Sequence, residues 1–186
     1  MNLETIFHYV HVIGAMGYAA GTLISLLGLF ALRRVRTVEE ARSVLELVER
    51  IGSISGISLL VTILAGLYLT ATGWGWLTGW IDVALGTLVL LFAMGVLMGT
   101  RRHKITLLAK DMPDGPLPMD LMQRINDPWM GLGIYMLVTL LLGIVFLMTA
   151  KPSLAGSLIT IGVSLALGFL ISLPNWNIGR RVVEKG

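Results

Sequence analysis

Thr5–Leu32, TIFHYVHVIGAMGYAAGTLISLLGLFAL, holds no Lys, Arg, Asp or Glu, and its reading decides the fold. A helix rises 1.5 Å per residue, so about 20 apolar residues cross a hydrocarbon core of about 30 Å. Four further stretches are equally free of charge: 51–81, 83–100, 128–150 and 152–179. A soluble domain cannot hide that much apolar surface, and in lipid every backbone polar group must be paired within the chain. The pattern therefore predicts an all-α polytopic bundle in one membrane domain, residues 1–186. Its spans are expected at about 5–32, 52–70, 80–100, 128–150 and 154–173.

Composition agrees with that reading. The chain is 55% hydrophobic and 13% charged, with a mean hydropathy of +0.83. The net charge of +3 would hint at nucleic acid in a soluble protein. Here the basic residues sit at the ends of spans, where they anchor loops, so no nucleic-acid partner is expected. Cysteine is absent, which excludes disulfides and thiolate chemistry. The first span is followed by Arg33-Arg34 and not by a small-residue cleavage site, and no basic segment precedes it. It is expected to remain in the mature protein.

Lys and Arg also assign the sides. Five lie in 33–50, five in 101–127 and three after 179, against Lys151 alone on the other face. The positive-inside rule then puts the N-terminus outside and the C-terminus in the cytoplasm, which needs an odd number of spans. A multi-pass protein of a cell membrane follows, with a bacterial inner membrane as the expected setting. Between spans, Thr37 and Glu40 form a capping box that starts a helix running into the second span. The 105–127 connection carries Pro113, Pro116 and Pro118 and is read as a loop with one short helical turn near Met119–Ile125. Asp127-Pro128 gives an N-cap and an N1 proline for the fourth span, and Lys151-Pro152 ends it.

Orientation converts the polar residues into a map. His8, Tyr9, His11, Tyr68, Trp74, Trp76, Trp80, Asp82, Met148 and Lys151 fall near the outer face. Glu49, Arg50, His103, Trp129, Asn175 and Trp176 fall near the inner one. His103 is thus about a bilayer away from His8 and His11 and shares no ligand with them. At 100° per residue His11, Gly14, Tyr18, Gly21, Ser25 and Gly28 share one helix face, where small residues let a second helix approach. That places His11 toward the bundle interior, where its ring nitrogens need partners.

Two readings of His11 stay open: a hydrogen bond to a hydroxyl or to Asp82, or ligation of a haem or metal ion through neutral imidazole. Two histidines three apart on one helix can chelate a metal, with Asp82 beside them, so His8, His11 and Asp82 form the candidate metal set. They cannot sandwich one haem, whose axial ligands approach from opposite faces. A haem on His11 needs Met148, a second subunit or an open position for its sixth site. Asp82 is the carboxylate within an apolar stretch and also lies in a first helical turn, where the helix dipole favours it. Its expected partners are His11 or Lys151. The tryptophans read as interfacial belts and the ten methionines as packing. No hydrolase, nucleotide or zincin motif is present.

FHYVHVIGAMGYAAGTLISLLGLFALRR, LVERIGSISGISLLVTILAGLYLTATGWGW, GWIDVALGTLVL and LVTLLLGIVFLMTAKP together resemble a bacterial family of predicted integral membrane proteins of unknown function. That family is similar in outline to the copper resistance D domain and to HemJ-type membrane proteins. The recurring positions fall on His11, Gly14, Gly66, Trp80, Met148, Lys151 and Pro152. In the HemJ-type oxidase a first-helix histidine is thought to bind haem, and the resemblance implies that role for His11. Three functions therefore stand as expectations: a haem- or metal-binding membrane protein, an accessory or scaffold subunit or homo-oligomer, and a small transporter.

Overall fold

The computed structural model describes residues 2–183, with side chains as far as Pro174 other than that of Trp74. Six helices follow in order: α1 Leu3–Leu32, α2 Val38–Leu69, α3 Gly79–Lys110, α4 Met119–Ile125, α5 Pro128–Ala150 and α6 Leu154–Val183, with no strand among the described residues. Five segments are long and apolar enough to cross a membrane, built on α1, α2, α3, α5 together with the short α4 before it, and α6. The molecule is inside-out relative to a soluble protein. Met16, Leu27, Val89, Leu142 and Ile159 are each more than 60% exposed, and these form the lipid-facing surface.

Local signals act where the residues predict. Thr37 caps α2 by accepting from the Glu40 amide at 3.3 Å, while Glu40 reaches back to the Arg36 amide at 2.9 Å. Asp127 caps α5 through the Trp129 amide at 3.0 Å, with Pro128 at N1. Lys151 closes α5 in the left-handed region (φ 47°). One departure lies at the end of α2, which passes into a π-helical turn, Thr70–Trp74, closed by Gly75 at φ 78°. A second lies in α6. Its apolar, span-length part ends at Pro174, in line with the expected span of 154–173, but the backbone stays helical on to Val183. The side chains of Asn175, Trp176 and Arg180-Arg181, assigned above to the inner face, lie outside the described residues.

Packing follows from the glycines. α1 and α2 form an antiparallel pair in which Gly14, Gly21 and Gly28 meet Thr62 and Ser58, Ser55, and Val48 in turn. α5 and α6 form a second pair, with Gly143 against Ser164 and Gly168 against Thr139. α3 lies between the pairs, touching both α2 and α5. The buried residues of α3 trace one stripe through Leu91, Met98, Arg102, Ile105 and Ala109. Hydroxyls inside the spans are largely satisfied by their own helix: Thr22, Thr62, Thr87 and Ser164 each donate to the carbonyl four residues back.

The two basic connections are tied together. Val38 donates to the Gly115 carbonyl at 3.0 Å and Leu117 to that of Arg36 at 2.9 Å. Arg42 spans the gap, bonding Asp114 at 3.0 Å and the Met112 carbonyl at 3.0 Å. The proline-rich connection is therefore an ordered cap on one end of the bundle.

Candidate functional site

His11 lies half-buried where α1 crosses α2, and its Nδ1 is 2.9 Å from the carbonyl oxygen of Thr62. A carbonyl accepts only, so Nδ1 carries the proton and Nε2 keeps its lone pair. The backbone explains why this carbonyl is reachable. In a helix the carbonyl of residue 62 points toward residue 66, and residue 66 is glycine. A β-carbon there would lie 3.1 Å from Cε1 and 3.2 Å from Nδ1 of the ring. On the other side, a β-carbon at Gly14 would lie 2.6 Å from the Thr62 hydroxyl and 3.0 Å from the Ser58 carbonyl. Two glycines, one per helix, thus bring the imidazole against the backbone of α2. Nearer the end of the pair Phe7 stacks on Tyr68, centroids 3.8 Å apart, and closes the seam beyond His11.

The other predicted residues are placed differently. His8, one turn away on α1, is exposed. Asp82 is exposed in the first turn of α3 and makes no side-chain hydrogen bond or ion pair among the described residues. The expected pairing of Asp82 with His11 is therefore corrected: Thr62 holds the ring. The physical reason is that α2, not α3, covers the glycine face of α1. Lys151 does not pair with Asp82; its ammonium lies 5.9 Å from the Trp80 ring centroid. Met148 is half-buried against the central apolar cluster. Among the described residues no group of three or more His, Asp or Glu side chains gathers into a metal-binding set.

His103 pairs with Glu49 at 2.6 Å on the opposite end of the bundle, thirteen residues before Thr62 along α2 and so roughly 20 Å from the His11 level. Sequence reasoning took all the basic residues of 101–127 for loop anchors, and for Arg102 that is wrong. It is only 7% exposed, and its Nη1 donates to the Val48 carbonyl at 2.9 Å. The signal was present in the phase of α3, since Leu91, Met98 and Arg102 recur at helical spacing on one face. Tyr18, placed on the α1 face by its phase, is equally buried, and its hydroxyl has no hydrogen-bond partner among the described residues.

Five apolar helices with their hydrophobic side chains turned outward define a multi-pass integral membrane protein, embedded in a lipid bilayer. Residues 5–152 match the model of the predicted integral membrane protein family DUF2269, and the chain belongs to that family. No curated protein and no solved structure matches the chain.

Proposed function

We propose that this membrane protein holds a haem or a metal ion on Nε2 of His11, in the half of the bilayer nearer the outer face. The observation that supports it is the 2.9 Å bond from Nδ1 to the Thr62 carbonyl. Ligating histidines are commonly oriented in this way: a backbone carbonyl on one nitrogen fixes the tautomer and raises the basicity of the other. Gly66 leaves the space that the His11 ring occupies against α2. A bound haem or metal would supply electron transfer or Lewis-acid chemistry. The protein's own part is to present a neutral imidazole in fixed orientation and to shield it behind the Phe7–Tyr68 stack. Met148 is the side chain proposed as second ligand for a haem, and His8 and Asp82 are those proposed to join His11 on a metal ion at the same face.

The test is an absorbance spectrum and metal analysis of pure protein, wild type beside His11→Ala. A haem band or stoichiometric metal lost in the variant is the expected result; wild type with neither ends the proposal. The second reading is an accessory subunit or homo-oligomer. It is favoured by Gly86 on α3 and Gly162 on α6, around which nothing of this chain lies within 4 Å of a built β-carbon. Small exposed residues of this kind suit a neighbouring transmembrane helix. Cross-linking in membranes through these two positions separates the readings.

A further inference from the structure

A cavity of about 290 Å³ lies between α1, α2, α3 and α5, bounded by Glu49 and Arg102 at one end and reaching Leu59 at the other. Its inner wall, including Tyr18, Ser55, Met98 and Arg102, is buried. Its other wall, including Ser53, Phe92, Gly95 and Gly99, belongs to the exposed, lipid-facing surface of α2 and α3. The cavity therefore opens sideways, between these two helices, toward the bilayer.

The sequence explains the space. α2 carries Gly52-x-x-x-Gly56 and α3 carries Gly95-x-x-x-Gly99, spacings that usually draw helices together. Here they do not close: a β-carbon on Gly56, Gly95 or Gly99 would meet nothing within 4 Å. The void is also polar at two points. Arg102 makes no direct ion pair among the described residues; the Glu49 carboxylate at the same end of the cavity attracts it from a distance and is bonded by His103 at 2.6 Å. The Tyr18 hydroxyl is buried and unpartnered, whereas the threonine hydroxyls around it bond their own helix. A buried guanidinium whose nearby carboxylate is shared with His103, and a buried hydroxyl without a partner, are both costly, and a ligand that supplies further anionic and ester oxygens relieves both.

We propose that this cavity binds a single-chain anionic phospholipid of the lysophosphatidate type, entering from the bilayer between α2 and α3. Its phosphate meets Arg102, its ester or hydroxyl oxygen meets Tyr18, and its acyl chain lies against Leu59, Phe92 and Ile134. The volume, just under the range of about 300–1,000 Å³ for ligand pockets, holds the polar end and the first part of one chain, the rest of which passes between α2 and α3 into the bilayer.

The test is equilibrium binding of oleoyl lysophosphatidate to the purified full chain, with monoolein as the phosphate-free analogue and glycerol 3-phosphate as a chain-free competitor. Wild type is expected to bind the lysophosphatidate at least about tenfold more tightly than monoolein, the ratio that one charge-assisted hydrogen bond provides. Arg102→Gln is expected to remove that preference, Arg102→Lys to keep most of it, and Tyr18→Phe to weaken binding several-fold. Gly95→Leu, which grows into open space, is expected to abolish binding of both lipids while the melting temperature holds. Equal binding of the two lipids overturns the proposal, as does full binding by Gly95→Leu. Competition by glycerol 3-phosphate as strong as by the lipid itself overturns it too, by showing a free-phosphate site. Should Arg102→Gln fail to fold, the comparison of the two lipids on wild type decides the matter.

Discussion

One absent carbon, at position 66, governs where His11 points. With a β-carbon the ring would be met at 3.1 Å, and the Thr62 carbonyl behind it would be shielded. Gly66→Leu is therefore expected to break the Nδ1 bond and to cost about 1–3 kcal/mol through overpacking, read as a lower melting temperature in detergent. Gly56→Ala is the contrasting change. Nothing lies within 4 Å of its built β-carbon, so the helix gains up to about 1 kcal/mol of propensity without a clash. If both substitutions lower stability alike, the packing argument fails. The inward placement of His11 was legible from its position on the glycine face of α1. Thr62 was not, because a backbone carbonyl leaves no residue-type signature, and Asp82 drew attention only because it is the carboxylate in an apolar run.

At the scale of elements, the glycine face of α1 was readable, but its partner was not. Helical phase groups His11, Gly14, Tyr18, Gly21, Ser25 and Gly28; it does not say which helix covers them. The answer is α2, whose Ser55, Ser58 and Thr62 are small enough to follow the glycines. This seam consumes the glycine stripe of α1 within the chain, whereas Gly86, Gly95, Gly99 and Gly162 on α3 and α6 are offered outward. The loops show a similar division. Prolines marked the connection, but it begins later than expected, since α3 runs on to Lys110, and its order comes from Arg42 on α2. Arg42→Ala removes bonds from a charged donor to Asp114 and to the Met112 carbonyl. It is expected to cost about 1.5–3 kcal/mol and to speed proteolysis within residues 111–118. A digestion pattern identical to wild type would show that the cap holds without it.

For the whole molecule, the charge pattern predicts an outside N-terminus and a cytoplasmic C-terminus, and the chain is convenient for testing this because it has no cysteine. Single cysteines at Thr72 and Ser153, both at the ends of helices away from the basic connections, are expected to react with an impermeant thiol reagent added to intact cells. One at Ser43, beside the Arg42 cap, is expected to react only after lysis. The reverse pattern would invert the protein, placing the His11 site toward the cytoplasm and the Arg102 cavity toward the outside.

What the sequence determined by itself was the solvent and the architecture. Charge-free runs of bilayer length leave an all-α multi-pass bundle as the arrangement that pairs its own backbone in lipid. Caps at Thr37 and Asp127 were equally local and equally readable. What only the tertiary structure decided was which groups meet: His11 with the Thr62 carbonyl and not with Asp82, and Arg102 inside a cavity and not in a loop. The physical reason is that a span is specified by neighbours along the chain, whereas a site is specified by helix partners. In this protein those partners are selected by the absence of side chains at glycine, which one helix read alone does not reveal.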